Sequence, residues 1–318
     1  MYFLICTLLL SLLSQAQTPV ASFSSDFLFG VANAPGHVED KLDDTWIRFA
    51  KKDKIRAFNN TFSPESRLEF WTKPEIELDL AAQLGVTVFR LGIDWGRVQT
   101  SPHSFNQEAI EHYRKILQMI RARKMKVMLT LFHFSVPIWL EDKGGWKCEE
   151  SKLHFLAFSQ KVMKEFHPLV DYWITFNEPQ IFATMAYTAG VFPPGETSSF
   201  LSMLDLGFYQ GETIKTLVRM SESHRDLYDW AKKTLPQTQI GISQHMGFHN
   251  GKSFLNKFIS KLTGEFMNWY FPGLIKGKMD FFGFIHYMQY YMCNTLYALY
   301  ALYAVLYTLF FCASFLIF

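Results

Sequence analysis

The sequence predicts an α/β fold in which about six βα units form an incomplete TIM (β/α)8 barrel, with a hydrophobic segment at each end. Short runs rich in β-branched and aromatic residues alternate with longer amphipathic stretches, which is the pattern of parallel strands joined by helical crossovers. Polar side chains follow several of these strands, where a barrel carries its active site. The predicted strands are Phe27–Val31, Val86–Leu91, Lys126–Phe132, Tyr172–Phe176, Gln239–Ser243 and Phe281–Ile285.

A doubly wound parallel sheet is the main alternative for the same order of strands and helices. Sheets of that kind usually carry a glycine-rich turn after the first strand, and neither GxGxxG nor GxxxxGK[ST] occurs in the chain. The polar residues instead follow several different strands, as on the active-site face of a barrel. They are Arg90, His133, Asn177 and Glu178. The barrel is therefore the favoured architecture.

Two stretches between the predicted strands have the periodicity of amphipathic helices. The first begins at Pro74 and ends before Gly85, because proline is favoured in the first helical turn and glycine just beyond the last. The second carries Arg121, Arg123 and Lys124 in its last turn, where positive charge is favoured. The apolar residues of the first helix are Ile76, Leu78, Leu80, Ala81 and Leu84, and those of the second are Ala109, Ile110, Tyr113, Ile116, Leu117 and Ile120.

The composition is that of a globular protein with a sizeable core. Hydrophobic residues make up 49% of the 318 residues. A chain of this length holds one barrel of about 250 residues with additional ends. The net charge of +2 is spread along the chain without a basic block, which argues against nucleic acid as a partner. Aromatic residues, at 17%, fit a bulky core and also a sugar-binding cleft.

The four cysteines lie too far apart to indicate a metal or disulfide site. Cys6, Cys148, Cys293 and Cys312 include no CxxC pair and no other close spacing. We therefore predict neither a zinc site nor a disulfide framework, and the sequence indicates no cofactor.

The N-terminal segment is apolar and resembles a secretory signal. Phe3–Leu13 carries no charge and is followed by Ser14-Gln15-Ala16, a small-x-small cleavage pattern, although no basic residue precedes the apolar run. The run is short for a membrane span, which needs about 20 residues. A cleaved signal peptide and an uncleaved membrane anchor over residues 1–16 are both open. The chain also contains one glycosylation sequon, Asn59-Asn60-Thr61.

The C-terminal segment has an unusual composition for part of a barrel. No Asp, Glu, Lys or Arg follows Asp280, and Leu296–Phe318 is long enough to span a membrane as a helix. One interpretation of residues 288–318 is therefore a membrane anchor. The other is sequence foreign to the domain, because the short repeat over residues 298–304 interrupts the strand and helix pattern.

The segment Trp173-Ile174-Thr175-Phe176-Asn177-Glu178-Pro179 carries the predicted chemistry. A strand of β-branched and aromatic residues ends in an amide and a carboxyl side by side, and the proline ends the strand. A carboxyl in an aromatic-lined cleft can act as a general acid, and the neighbouring amide can hydrogen-bond a sugar hydroxyl. An ordinary strand-end glutamate before a turn-forming proline explains the same residues equally well from composition alone.

This segment resembles the Thr-Phe-Asn-Glu-Pro acid/base motif of glycoside hydrolase family 1, the retaining β-glycosidases. Further segments match the family in the same order along the chain, over residues 26–287. They are Phe29-Gly30-Val31-Ala32 with Val38-Glu39, Phe89-Arg90 with Trp95 and Arg97, Leu131-Phe132-His133 with Pro137, Gly144-Gly145-Trp146, and Asp280-Phe281-Phe282-Gly283. The resemblance implies action on O-glycosidic bonds in carbohydrate metabolism.

Within that family the chain is most similar to plant galactolipid galactosyltransferases of the chloroplast outer envelope. Residues 34–46 match that branch, whereas ordinary β-glucosidases carry Gln where His37 stands and Gly where Asp40 stands. Residues 67–71 and 126–133 fit the same branch. The resemblance implies a β-glycoside or galactolipid substrate, transfer of a β-galactosyl unit between galactolipids, and association with a membrane surface. The signal-like N-terminus leaves the secretory pathway as the alternative location.

The resemblance also implies residue roles. Glu178 would protonate the leaving oxygen and later deprotonate the acceptor hydroxyl. Arg90 would keep the nucleophile ionised, while His133 and His37 would bind ring hydroxyls. A buried structural role is the alternative for each histidine, and it is the stronger alternative for His37, whose position departs from the general family pattern. The implied substrate-binding residues are Asn177, His133, His37, Arg90 and Trp146. The histidines assigned to surface or structural positions are His154, His167, His224, His245 and His249.

Part of the family's machinery does not occur in the sequence. A retaining enzyme needs a second carboxylate about 5 Å from the first, and the family carries it in a Thr-Glu-Asn-Gly motif on the seventh strand. The chain contains neither that motif nor the tryptophan-rich eighth-strand segment, and Ile285-His286 stands where the family has Asn-Tyr. We therefore expect a partial barrel with two open sheet edges and no turnover. The alternative is a catalytically dead, membrane-tethered carbohydrate-binding or scaffolding protein.

Overall fold

The computed structural model describes residues 23–292, apart from residues 25, 53–66, 198–210, 252 and 286–288. The signal-like segment 1–16 and the sequon Asn59-Asn60-Thr61 lie outside the described residues. Of the apolar C-terminal segment 288–318, only residues 289–292 are described. Within the described ranges, no helix is both long enough and apolar enough to cross a membrane.

The described chain alternates strands and helices as the sequence predicts. The strands are β1 (Gly30–Ala32), β2 (Val88–Gly92), β3 (Gln99–Ser101), β4 (Ser104–Phe105), β5 (Lys126–Phe132), β6 (Tyr172–Asn177), β7 (Gln239–His245), β8 (Phe248–Gly251), β9 (Phe281–Ile285) and β10 (Gln289–Met292). The helices are α1 (Pro35–Val38), α2 (Thr45–Ala50), α3 (Pro74–Gln83), α4 (Trp95–Val98), α5 (Gln107–Ala122), α6 (Ile138–Glu141), α7 (Ser151–Phe166), α8 (Pro179–Tyr187), α9 (Glu212–Thr234) and α10 (Phe254–Leu274). A 3-10 turn spans Gly145–Lys147.

The main sheet has six parallel strands in the order β1-β2-β5-β6-β7-β9. Each corresponds to one of the six predicted strands, and the order is that of consecutive βα units in a barrel. The predicted partial barrel is therefore confirmed. The first strand differs most, because it begins at Gly30 rather than Phe27. The N–H of Phe27 instead donates to the carbonyl of Ser24 in a turn, at 3.0 Å.

Helix α5 forms one wall of the core and follows the predicted pattern closely. It begins after Asn106, whose side chain accepts a hydrogen bond from the N–H of Ala109 at 3.1 Å and so caps the helix. Burial of each large apolar side chain contributes about 1.5–3 kcal/mol to stability, so one such face suffices to hold the helix on the sheet. The buried residues are Ala109, Ile110, Tyr113, Ile116, Leu117 and Ile120, as predicted.

Helix α3 also forms where it is predicted, but its apolar residues lie on two sides. Leu78 and Ala81 are buried. Ile76, Leu80 and Leu84 are exposed by 52%, 52% and 79%. Residues four apart lie on the same face of a helix, so these three form an apolar stripe that faces solvent.

A second exposed apolar group precedes β1, at one edge of the described sheet. Phe23, Phe27 and Phe29 contact one another there with ring centroids 4.4 to 5.1 Å apart, one pair stacked and two edge-to-face. Thr87, which follows α3, donates its N–H to the carbonyl of Phe29 at 2.8 Å. This hydrogen bond connects the chain after the α3 stripe to the phenylalanine cluster. We call Phe23, Phe27, Phe29, Ile76, Leu80 and Leu84 the β1-edge patch.

Strand β9 forms the other edge of the described sheet. Within that sheet its one neighbour is β7, and Phe284 on β9 is 68% exposed. In the described part of the chain, the barrel therefore has the two open edges that the sequence predicts.

Candidate active site

Arg90, on β2, connects four strands of the sheet. Its Nε donates to the hydroxyl of Thr130 on β5 at 2.9 Å, and its Nη2 donates to Asn177 Oδ1 on β6 at 2.6 Å. Its Nη1 lies 3.4 Å from the hydroxyl of Ser243 on β7. Because the guanidinium is a rigid planar fork, these contacts fix Asn177 relative to its neighbours.

Glu178 follows Asn177 at the C-terminal end of β6 and is 6% exposed. Its backbone is left-handed, with φ of 43° and ψ of 55°. Such a conformation costs a non-glycine residue about 1–3 kcal/mol and is concentrated at functional sites. The N–H of Glu178 donates to the carbonyl of Ser243 at 2.6 Å, and its own carbonyl accepts from the N–H of Phe182 at 3.0 Å. The backbone is thus held between β7 and the first turn of α8, which begins at Pro179.

Two of the predicted site histidines, His133 and His37, are uncharged at neutral pH. Burial lowers the pKa of His133 well below its usual value, and the positive charges of Arg90 and His37 lower it further. Burial also lowers the pKa of His37, as does the charge of Arg67, while Asp44 opposes both effects. His133 follows β5, the strand that pairs with β2, which carries Arg90. A neutral imidazole has one donor and one acceptor nitrogen, as binding of a sugar hydroxyl requires.

A buried ionic network holds the segment that carries His37. Arg97 Nε is 3.1 Å from Glu39 Oε2, and the hydroxyl of Tyr113 donates to Glu39 Oε1 at 2.7 Å. Arg67 Nη2 donates to both carboxylate oxygens of Asp44 at 3.0 and 2.9 Å, and its Nη1 donates to the carbonyl of Glu39. These contacts tie the segment between β1 and α2 to α4 and α5, and so position His37.

Burial also changes the acidity of the carboxyls in this network. It raises the pKa of Glu39 to about 8, and the guanidinium of Arg97 opposes that rise. Burial raises the pKa of Asp94 to about 6, with a further rise from the charge of Asp44. Sequence reasoning quoted Glu39 and Arg97 as motif residues but did not assign them this positioning role.

The structure places Trp146 in the aromatic core. Its ring is completely buried, and its Nε1 has no hydrogen-bond partner among the described residues. Its backbone is fixed by Tyr187 and Arg219. A fully buried ring cannot stack on a sugar, so its position supports a packing role instead of the predicted substrate contact. The rings around it are Trp95, Phe132, Phe155 and Phe176.

Sequence reasoning missed His245, which it assigned to a surface or structural position. Strand β7 extends two residues beyond the predicted Gln239–Ser243 and ends at His245. His245 Nδ1 lies 3.5 Å from Glu178 Oε1. Its place just past a predicted strand was the available signal, because this is where barrel residues reach the active site.

The site therefore combines a carboxyl, an amide, a guanidinium and neutral imidazoles at one end of the sheet. Arg90, Asn177 and Glu178 are joined by direct contact or adjacency. His133 follows β5, which lies between β2 and β6, and His37 lies on α1, just after β1. Such a set can bind hydroxyl groups and move one proton.

Comparisons with known proteins agree with this geometry. A glycosyl hydrolase family 1 model matches residues 20–278. Galactolipid galactosyltransferase SFR2, chloroplastic, of Arabidopsis thaliana is 33% identical over 325 residues, which cover 84% of this chain and 52% of the relative. Beta-glucosidase-like SFR2, chloroplastic, of Oryza sativa subsp. japonica is 28% identical, with coverage of 84% and 54%. The chain thus spans about half the length of these relatives.

Solved structures show the same fold. The GH1 beta-glucosidase of Exiguobacterium antarcticum B7 superposes with a TM-score of 0.75 at 22% identity, covering 85% of this chain and 66% of that chain. The beta-glucosidase of Thermotoga maritima in complex with noeuromycin gives a TM-score of 0.76 at 20% identity, covering 86% and 67%. The described sheet therefore corresponds to part of the barrel in these enzymes.

Proposed function

The chain belongs to glycosyl hydrolase family 1, and we propose on that basis that its site serves O-glycosidic bonds, with Glu178 as general acid and base. The observation that carries the proposal is the Asn177–Glu178 pair at the end of β6. Asn177 is held 2.6 Å from Arg90, and the Glu178 carboxyl is buried beside it. An amide and a carboxyl in this arrangement can hold a ring hydroxyl and protonate the adjacent glycosidic oxygen.

The proposed reaction divides into two proton movements at Glu178. The carboxyl first gives its proton to the leaving oxygen as the glycosidic bond breaks. The resulting carboxylate then takes a proton from the hydroxyl of water or of an acceptor sugar. Asn177 holds the 2-hydroxyl, and neutral His133 and His37 bind other ring hydroxyls while the sugar is in place. Arg90 maintains the positive potential that a carboxylate nucleophile needs.

We further propose galactolipids as the substrate class, with transfer between lipid-bound sugars. The support is similarity to the Arabidopsis galactolipid galactosyltransferase at 33% identity. Both plant relatives quoted above are named as chloroplastic, which supports a chloroplast location and, in the outer envelope, contact with a membrane surface. Entry into the secretory pathway through residues 1–16 is the alternative.

The nucleophile of the retaining mechanism has no candidate after Asp280, because no Asp or Glu follows that residue. We therefore expect the 318-residue chain to form no glycosyl-enzyme. Incubation with a fluorinated glycosyl trap, followed by mass spectrometry of the digest, should show no labelled peptide. A labelled Asp or Glu peptide would contradict this expectation.

The same observation favours a second candidate, a catalytically inactive carbohydrate-binding or scaffolding protein. Calorimetric titration with galacto- and gluco-configured iminosugars separates the possibilities. Binding that weakens in Glu178→Gln but not in Glu196→Gln, a rim carboxyl paired with Lys147 at 2.6 Å, supports a glycoside site at Glu178. Glycoside binding without trap labelling supports the carbohydrate-binding candidate for this chain. Absence of binding by either sugar would overturn both proposals.

A further inference from the structure

His245 lies against the carboxyl of Glu178 at the end of β7. His245 Nδ1 is 3.5 Å from Glu178 Oε1, and the two residues are 5% and 6% exposed. The motifs that identify the family include no residue of β7. The contact therefore calls for its own explanation.

The alternation of β7 places the His245 side chain inside the sheet's concave face. Ser243 contacts Arg90 and so faces the site. Gln244 faces the opposite way, since its Nε2 donates to the carbonyl of Met267 on α10 at 2.9 Å. Side chains two residues apart on a strand share a face, so His245 lies on the same side as Ser243.

The backbones of both partners are firmly held. His245 pairs with Ile285 in the β7–β9 register, and the next residue, Met246, donates its N–H to the carbonyl of Ile285 at 2.9 Å. The Glu178 N–H donates to the carbonyl of Ser243 at 2.6 Å. A small side-chain rotation is enough to shorten the Nδ1–Oε1 distance from 3.5 Å to about 2.7–2.9 Å, the range of a charge-assisted hydrogen bond.

Glu178 Oε1 needs a partner of this kind. It is buried and accepts no hydrogen bond from the described residues. An imidazole that carries a proton on Nδ1 can donate it to Oε1 both when the carboxyl holds its own proton on Oε2 and when the carboxyl is ionised. In both states one proton lies between the two groups.

We propose that His245 is a positioning residue for Glu178: its Nδ1–H donates to Oε1, which leaves Oε2, with the proton of the carboxyl, for the glycosidic oxygen. The catalytic part of this inference rests on the proposed function. When Oε2 gives its proton to the leaving oxygen, the hydrogen bond from Nδ1–H stabilises the new carboxylate. When the acceptor hydroxyl returns a proton, the pair is restored. The pairing itself is a property of the chain whether or not it turns over substrate.

The pairing can be tested by 15N NMR on the chain labelled at histidine, at a fixed pH of about 7, where imidazole shifts report protonation and hydrogen bonding. Signals lost in His245→Gln identify the residue. In Glu178→Gln we expect the Nδ1 resonance of His245 to move. If that variant does not fold, Glu178→Asp withdraws the carboxyl by one methylene and should produce the same change.

A matched control is available in a second buried histidine. His224 Nδ1 lies 2.7 Å from the hydroxyl of Thr175, also on β6. Thr175→Val should move the Nδ1 resonance of His224 and leave that of His245 in place. The Glu178 variants should move the Nδ1 resonance of His245 and leave that of His224 in place. An unchanged His245 resonance in the folded Glu178 variants would overturn the proposal.

Iminosugar titration of the same samples separates this proposal from the proposed function. A His245 resonance that moves in the Glu178 variants, without any sugar binding, would overturn the glycoside site and retain the His245–Glu178 pair. Sugar binding that depends on Glu178, together with an unchanged His245 resonance, would overturn the pair and retain the glycoside site.

Discussion

At the scale of single residues, Arg90 combines three contacts that few other side chains could make together. Its guanidinium reaches Thr130, Asn177 and Ser243, which belong to three different strands. Arginine keeps its charge at all relevant pH values, so these contacts persist across the pH range of the folded protein. A lysine has the charge but not the planar fork.

We therefore expect Arg90→Lys to weaken iminosugar binding about tenfold or more, since hydrogen bonds to charged groups contribute about 1.5–3 kcal/mol each. Calorimetry measures the affinity, and thermal unfolding shows whether the fold survives. Arg123→Lys is the control, because Arg123 pairs with Asp79 at the surface at 2.6 Å. An exposed pair of that kind contributes about 0–1 kcal/mol. Equal affinity in wild type and Arg90→Lys would contradict the role of the fork.

A second prediction concerns Glu178 in a chimera that adds the C-terminal third of a family 1 β-glucosidase. Glu178→Gln keeps the shape of the side chain and removes its proton, so cleavage of a natural glycoside should slow by about 10²–10⁴-fold. An activated aryl glycoside should lose less, and azide should partly restore turnover by attacking the intermediate without a base. Equal losses on both substrates, with no azide rescue, would refute the assignment.

At the residue scale, the sequence predicted best which side chains stand at strand ends. Asn177 and Glu178 end a strongly β-forming run, and Arg90 and His133 belong to runs of the same kind. His245 was not predicted as a site residue because the predicted strand ended at Ser243, two residues before the observed end of β7. The full burial of the Trp146 ring could not be predicted, because the sequence shows an aromatic residue but not the depth at which its ring is buried.

At the scale of elements, the segment between β1 and α2 depends on buried carboxyls. Burial raises the pKa of Glu39 from its ordinary value of 4.5 to about 8 in the folded state. The folded state therefore binds this proton more tightly than the unfolded chain does. The corresponding stability is complete below about pH 4.5 and is lost as pH rises through about 8.

From this we expect the free energy of unfolding of the wild type to fall with rising pH over that window, by at most about 1.4 kcal/mol per pH unit for one proton. Glu39→Gln should remove this component, so the difference between the two denaturation curves should change steadily across the window. Glu69→Gln, at an exposed residue paired with Lys73, should track the wild type. Parallel curves for Glu39→Gln and wild type would contradict the prediction.

Element prediction was most accurate where a helix has one apolar face. Helix α5 has such a face, and all of its predicted core residues are buried. Helix α3 has apolar residues on two sides, and periodicity alone could not decide which of them meet the sheet. Leu78 and Ala81 do, while Leu80 lies in the exposed stripe.

At the scale of the whole described fold, β1 and β9 form the two edges of the main sheet, and neither has a second strand partner in that sheet among the described residues. An unpaired strand edge with apolar side chains is a template for association with other chains. The β1-edge patch adds exposed aromatic rings and an apolar helix stripe to such an edge. The open edges follow from a sequence that matches six strands of an eight-stranded fold, so the sequence was sufficient to predict them. The exposure of Ile76, Leu80 and Leu84 became known only from the structure.

We expect the combined substitution Ile76→Lys, Leu80→Lys and Leu84→Lys to reduce self-association, measured by light scattering at several protein concentrations. Stability should change little, because substitutions at exposed positions usually alter it by about 0.5 kcal/mol or less each. Leu153→Lys is the control, since Leu153 is 66% exposed on α7, away from both edges. Equal reduction by the control would show that added charge, and not the patch, is responsible.

The left-handed backbone of Glu178 has a consequence for protein engineering. Glycine adopts that conformation without penalty, and asparagine tolerates it better than glutamate does. A library screened for heat resistance alone should therefore enrich Glu178→Gly and Glu178→Asn, and both would lack the carboxyl. Selection for thermostability and selection for catalysis thus favour different residues at position 178. The persistence of glutamate there would distinguish a lineage selected for activity from one selected only to stay folded.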